Sequence, residues 1–147
     1  EPPGWLSLVD GGLFANNPAM CALVEARKHH PEREVLMVSL GTGELTRRLP
    51  WEEIRDWGVR EWALPAAPLL GVIFDGVSDT VDHQVAHLLP EGAYFRFQVS
   101  LTTANDDLDD ASAENLRALR LEAARLLDER GEELERLVGL LEARDGG

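Results

Sequence analysis

The sequence predicts an α/β protein built around a parallel sheet. Three observations carry this. The stretch "VLMVSL" (35–40) is apolar at nearly every position, the pattern of a parallel strand buried on both faces rather than one alternating with water. "WLSLV" (5–9) reads as a short strand, and a helical pattern lies between the two. Residues 5–40 are therefore expected to form a strand–helix–strand unit with a right-handed parallel crossover. Finally, long helical stretches outweigh only three strand-like segments, and a doubly buried strand needs neighbours on both sides. Residues 1–147 are thus expected to be the C-terminal portion of one larger α/β domain, with an incomplete central sheet.

The elements follow in order. Asp10-Gly11-Gly12 breaks the first strand. Asn17 is a favourable N-cap, and Pro18 suits the first helical position because its missing N–H has no intrahelical partner to lose. Met20, Leu23, Val24 and Arg27 follow at helical spacing, and Cys21 among them is expected in the core. Lys28, His29 and His30 favour the C-terminal end of this helix, before Pro31. Residues 51–63 read as helical, with Trp51, Ile54, Trp57 and Trp62 as apolar contacts. Pro65 and Pro68 interrupt before a long helical stretch over 69–89. "AYFRFQVSL" (93–101) alternates, with Phe95, Phe97 and Val99 on one face and Tyr94, Arg96 and Gln98 on the other, as in a half-buried or edge strand. A polar loop leads to a helical region over 112–144, broken near Gly131. Its apolar positions are Leu116, Leu119, Leu126 and Leu127, then Leu134, Leu137, Val138 and Leu141.

Composition narrows the function classes. The chain has 147 residues, 44% of them hydrophobic, and a formal net charge of −13. Thirteen of its 27 acidic residues lie beyond residue 104, against six of its 14 basic ones, so this stretch holds about half the net charge. An acidic surface argues against nucleic acid as a partner, because phosphate neutralisation needs basic side chains. It also argues against strong electrostatic docking on anionic lipid, while shallow apolar contact with a membrane or micelle stays open. No apolar run is long enough for a transmembrane helix. The start "EPPGW" lacks the basic and apolar regions of a signal peptide and reads as a loop within a longer chain. A single cysteine excludes an internal disulfide and suits a reducing compartment. The expected setting is the cytoplasm, with peripheral membrane contact. Oligomeric state is left open.

The candidate chemistry centres on Asp10. An Asp-Gly pair is commonly a turn, in which Asp bonds nearby backbone and Gly supplies positive φ. The alternative is a general base. Ligand sites in parallel sheets gather at the carboxyl ends of strands. Asp10-Gly11-Gly12 and Gly41-Thr42-Gly43 both follow predicted strands, and they are expected at the same sheet edge.

The wider pattern is more specific. "LVDGGLFANNPAMCALVEA", "VLMVSLGTGE", "YFRFQ" and the late "DDASAENLRAL" resemble, in order and over nearly the whole chain, the C-terminal half of patatin-like phospholipases. The resemblance implies a three-layer α/β/α fold and hydrolysis of lipid acyl esters by a serine–aspartate dyad, with no cofactor and no metal. Asp10 matches the dyad aspartate, and Gly11 and Gly12 complete that motif. Asn17, Gly41, Thr42 and Gly43 fall in motifs that support the site. The family's Gly-x-Ser-x-Gly nucleophile elbow and glycine-rich oxyanion loop both precede the aspartate motif, and neither occurs here. The resemblance therefore implies one half of an active site. The rival reading is an inactive fragment or pseudoenzyme, kept as an interaction module with the acidic helical tail as contact surface.

Other candidates weigh less. Gly76-Val77-Ser78-Asp79-Thr80 resembles an elbow, but Thr80 puts a Cβ where the sharp turn wants none, and the order of serine and aspartate is reversed. Ser39 lies within a predicted buried strand and lacks the upstream glycine. His83 and His87 are one helical turn apart, yet Gln84 replaces the glutamate of the zinc motif. "NDDLDD" (105–110) lacks the glycine and distal glutamate of a calcium loop and reads as a solvated loop with a helix cap. Gly41-Thr42-Gly43 has the look of a phosphate cradle at a helix start, a weak signal on its own.

Overall fold

The computed structural model describes residues 4, 7–44, 49–64, 68–105, 107 and 109–145. Two compact units divide the chain. The first comprises Glu1–Met37 with Pro50–Tyr94, and the second Val38–Leu49 with Phe95–Gly147.

The first unit is helical. A single turn, α1 (Gly12–Ala15), is followed by α2 (Ala19–His29), the short helices α3 (Trp51–Ile54) and α4 (Val59–Ala63), and the 21-residue α5 (Pro68–Leu88). Pro68 opens α5, where its fixed φ and missing N–H cost little. Helix α5 packs against α2 and α4. The core joins Ala19 and Leu23 of α2 with Val85 of α5, Leu89 and Met37, and Val81 and Tyr94 pack against it. Ala19 and Leu23 are four apart and so share one helix face. Cys21 points to the opposite side and is exposed, which corrects its expected place in the core; Val24 is exposed for the same reason. Arg27 serves the far end of α5, donating through Nη2 to the Leu88 carbonyl at 2.8 Å. Trp57 and Trp62 meet edge to face, with centroids 5.2 Å apart.

The expected first strand is not formed in its described part. Residues 5 and 6 lie outside the described residues. Ser7, Leu8 and Val9 carry no strand hydrogen bonding, and Leu8 and Val9 are exposed. An extended segment becomes a strand only by pairing, and no described neighbour pairs with it.

The second unit holds nearly all of a two-stranded sheet, β1 (Met37–Leu40) beside β2 (Tyr94–Phe97), and the helices α6 (Ala113–Glu129) and α7 (Gly131–Asp145). The Gly41 amide donates to the Phe97 carbonyl and the Glu44 amide to the Val99 carbonyl, while the Leu101 amide returns to Glu44. Partner numbers rise together, so the strands are parallel. The chain is therefore mixed α/β, as the sequence predicts. Burial along β1 alternates. Met37 and Ser39 are buried, whereas Val38 and Leu40 are exposed. The expectation of burial on both faces fails because no described residue covers the second one. In β2 the predicted alternation holds: Phe95 and Phe97 are buried, with Leu101, Ala104 and Leu137 also buried in this unit. The guanidinium of Arg136 lies 5.0 Å from the Phe95 ring centroid and that of Arg130 5.8 Å from Phe97. The two C-terminal helices meet at Arg130, next to the predicted break at Gly131. Leu137 of their apolar stripe is buried, but Leu116, Leu127, Val138 and Leu141 are exposed.

Glu122 is buried on α6 and ties the segment after β2 to that helix. Its Oε1 accepts from the Thr102 and Thr103 amides at 2.7 and 2.9 Å and from both threonine hydroxyls. Its Oε2 pairs with Arg125 Nη2 at 2.8 Å. The Thr102 amide, then the Thr103 amide, the Thr102 hydroxyl and Arg125 hold the carboxyl well below its ordinary value of 4.5, at about 2. Because the folded value lies below the unfolded one, this contribution to stability is complete above about pH 4.5 and is lost as pH falls through about 2. The Thr102 and Thr103 amide resonances should therefore shift with an apparent midpoint near 2, and Glu122→Gln should abolish that transition. A midpoint at the ordinary glutamate value would contradict the clamp. Among the described residues no helix is long and apolar enough to cross a membrane.

Candidate functional site

The Asp10 corner is a tight, hydrogen-bonded turn in the first unit. Asp10 Oδ1 accepts from the Gly12 amide at 2.6 Å, and the Asp10 carbonyl accepts from the Leu13 amide at 3.2 Å. The Gly11 carbonyl takes the Phe14 and Ala15 amides at 3.0 and 2.9 Å, closing α1. A Cβ on residue 12 would stand 2.8 Å from Asp10 Oδ1, closer than such atoms approach. Glycine at 12 is therefore what lets the amide reach the carboxylate. Gly11, by contrast, has φ of −63°, so the positive φ expected of an Asp-Gly turn is not used here. Asp10 is exposed. One carboxylate oxygen is thus held by the Gly12 amide, while Oδ2 has no hydrogen-bond partner among the described residues.

Asn17 is buried, at 6% exposure. Its Oδ1 accepts from the Ala19 amide at 3.1 Å, at the start of α2. The capping role read from the sequence is present, although the regular helix opens at Ala19, with Pro18 in the cap position; such one-residue offsets are common at helix ends. Asn17 Nδ2 donates to the Ser78 carbonyl at 3.2 Å, with Ser78 Oγ at 3.4 Å. Ser78 lies inside α5 and not on a strand-to-helix elbow, which removes it as a nucleophile candidate.

The Gly41-Thr42-Gly43 turn follows β1 in the second unit. Gly43 has φ of +98°, the left-handed region in which glycine carries no Cβ penalty. Its amide donates to Gln98 Oε1 at 3.1 Å. A Cβ on Gly41 would collide with the Gln98 carboxamide, and one on Gly43 would come within 2.6 Å of Leu101 Cδ2. The glycines thus let Gln98 and Leu101 close over the turn. A phosphate cradle would need the Gly43 amide free, and Gln98 occupies it. Thr42 is exposed. A groove of about 310 Å³ beside the turn is lined in part by Thr42, Gly43, Leu101, Asn115 and Leu119.

The polar stretch over 105–110 is organised as a loop and cap; residues 106 and 108 lie outside the described residues. Asn105 Nδ2 donates to Asp110 Oδ2 at 2.6 Å, and the Ser112 amide to Asp110 Oδ1 at 2.9 Å. These bonds, Asn105 first, lower the Asp110 pKa. Ser112 Oγ caps α6 by accepting from the Asn115 amide at 3.2 Å, and buried Asn115 donates to Asn105 Oδ1 and the Asp110 carbonyl, both at 3.1 Å. On α5, His87 Nδ1 bonds the His83 carbonyl at 2.8 Å, and the two rings lie 4.1 Å apart. Among the described residues no three His, Cys, Asp or Glu side chains group as metal ligands do. Ser39 Oγ accepts from Arg96 Nη1 at 2.9 Å.

Sequence reading missed three partners: Ser78 as acceptor from Asn17, Gln98 over the glycine turn, and Glu122 beneath Thr102 and Thr103. Each contact joins residues 19 or more positions apart. Local pattern carries no signal for such pairs.

These elements define an α/β protein whose candidate site is a glycine corner presenting a carboxylate. Comparison with known proteins supplies the family. The chain is 30% identical over 138 residues, 90% of its length, to calcium-independent phospholipase A2-gamma of Rattus norvegicus. It is 30% identical over 148 positions, 84% of its length, to patatin-like protein 1 of Oryza sativa subsp. indica, and 35% identical over 86 residues, 53% of its length, to patatin-like protein 8 of Arabidopsis thaliana. The chain belongs to the patatin-like phospholipase family. It spans 16% of the length of the rat and Arabidopsis proteins and 35% of the rice one. No family model matches the chain. No solved structure matches it either.

Replacing Gly43 with alanine should loosen the turn after β1. A left-handed non-glycine residue costs about 1–2 kcal/mol, and the Leu101 contact adds to that. Amide-exchange protection of Glu44 and Leu101 is expected to fall roughly 5- to 30-fold; unchanged protection would show that the turn tolerates a Cβ.

Proposed function

We propose that this chain supplies the general-base half of a serine–aspartate lipid acyl hydrolase. It would be the C-terminal portion of a three-layer α/β/α patatin-like domain whose nucleophile and oxyanion loop lie upstream. The observation that carries the reading is the Asp10 carboxylate: one oxygen is fixed at 2.6 Å by the Gly12 amide, and the other has no hydrogen-bond partner among the described residues. A general base needs this arrangement, because the proton acceptor must be held within hydrogen-bond reach of the group it deprotonates.

In the complete site, Asp10 Oδ2 takes the serine hydroxyl proton as Oγ attacks the ester carbonyl carbon. The tetrahedral oxyanion collapses, the C–O bond to the leaving alcohol breaks, and Asp10 returns the proton to that oxygen. Asp10 then deprotonates a water, whose oxygen attacks the acyl carbon; the bond from that carbon to serine Oγ breaks, Asp10 returns the proton to Oγ, and the fatty acid leaves. No histidine and no metal are required. The substrate class is a lipid carboxyl ester, with the phospholipase relative favouring phospholipid or lysophospholipid. Contact with a membrane or micelle surface would be transient and made through exposed apolar side chains.

The chain alone should hydrolyse no ester, since it has no elbow serine, and each missing oxyanion donor costs about 10²–10³ in rate. Extended upstream through a Gly-x-Ser-x-Gly segment, it should hydrolyse p-nitrophenyl and phospholipid esters. Asp10→Asn should cut turnover roughly 10²- to 10⁴-fold. Turnover retained in Asp10→Asn would refute the role. An extended wild-type chain without activity would favour the interaction-module reading, with the acidic C-terminal helices as contact surface.

A further inference from the structure

We propose that Asn17 is a positioning residue for the proposed hydrolysis: its buried carboxamide pins the Asp10 corner to the middle of α5 through the Ser78 carbonyl. This rests on the general-base reading of Asp10.

Among the described residues from 7 to 18, Asn17 is the one that is buried; Asp10 and most of its neighbours face solvent. The turn from Asp10 to Ala15 is closed by its own backbone bonds and so moves as a unit, but those bonds do not attach it to anything else. Among the described residues, a side-chain hydrogen bond to α5 comes one residue beyond Asn16. The Asn17 carboxamide can satisfy both of its groups in only one orientation. With Oδ1 on the Ala19 amide, Nδ2 faces the Ser78 carbonyl; the flipped amide would set donor against donor and oxygen against oxygen. The Ser78 carbonyl has a second lone pair for this bond beyond its use within the helix. The hydroxyl of Ser78, at 3.4 Å, contributes little at that distance. The inference is therefore that α5, 61 residues away in sequence, sets where the Asp10 carboxylate stands. A displacement of about 1 Å at a reacting group can cost roughly 10²-fold in rate.

Asn17→Ser separates the two jobs of the side chain. Serine keeps an oxygen that can cap α2 but is too short to reach α5. In the chain extended upstream, turnover should be expressed per serine titrated to completion with a fluorophosphonate, which removes any loss of folded protein from the comparison. The kcat per titrated site is expected to fall about 10- to 100-fold, with KM within about twofold. Amide exchange should accelerate over residues 12–15 while protection in the body of α2 is kept. A kcat per site within twofold of wild type, with Asp10→Asn inactive, would overturn the positioning role and leave the base reading standing. Activity in Asp10→Asn would overturn the base reading, and the positioning role of Asn17 with it. If Asn17→Ser does not fold, the wild-type protein still decides. Its Asn17 carboxamide protons should exchange slowly and show contacts to Ser78, and rapid exchange would overturn the proposal.

Discussion

The Asp10 corner depends on one close contact, the 2.6 Å bond from the Gly12 amide to Asp10 Oδ1. It folds the carboxylate back onto the first turn of α1 and fixes one of its two oxygens. Any side chain at position 12 would intrude, since even a Cβ would lie 2.8 Å from that oxygen. Gly12 is therefore explained by approach distance and not by left-handed backbone, whereas a Cβ at Gly11 would meet nothing within 4 Å. The other glycine turn works differently. At Gly43 the backbone is left-handed, and Gln98 and Leu101 pack where side-chain atoms would otherwise be. Two glycine motifs that look alike in sequence thus answer two different constraints.

A second constraint is apolar surface without cover. Leu8, Val9, Phe14, Val38 and Leu40 are exposed in this chain. Burying a large aliphatic or aromatic side chain contributes about 1.5–3 kcal/mol, so these side chains add little to stability while they face water. Buried polar groups also help to hold the second unit. Its helix α6 buries Asn115 and Glu122, and both are fully engaged with the segment that follows β2. Such buried polar groups hold a loop in one arrangement, because releasing either partner would leave a desolvated group unpaired.

Much of the architecture was legible in sequence where the signal was local and periodic. The long helix α5, the alternation of Phe95 and Phe97, the cap at Asn17 and the break near Gly131 all follow from spacing and turn chemistry within a dozen residues. What failed depended on partners. Val38 and Leu40 look doubly buried because strand composition records a neighbour, whether or not this chain provides it. Leu8 and Val9 look like a strand for the same reason, yet a strand exists only when paired. Cys21 sits among apolar residues in sequence but on the wrong side of a 3.6-residue turn from Ala19 and Leu23. At the candidate site, the Asp-Gly-Gly, Asn-Asn-Pro and Gly-Thr-Gly motifs were readable. The Ser78 and Gln98 contacts that hold two of them were not, since they join residues 61 and 55 positions apart.

On the proposed mechanism, this chain carries the proton acceptor for a serine held elsewhere. Split complementation tests it most directly. The 147-residue chain and a separately produced upstream segment bearing the elbow serine are mixed, and ester hydrolysis is followed. Turnover is expected that neither part shows alone and that disappears when the chain carries Asp10→Asn, although the two parts still associate. Turnover undiminished by that substitution, or an associated pair with none, would contradict it.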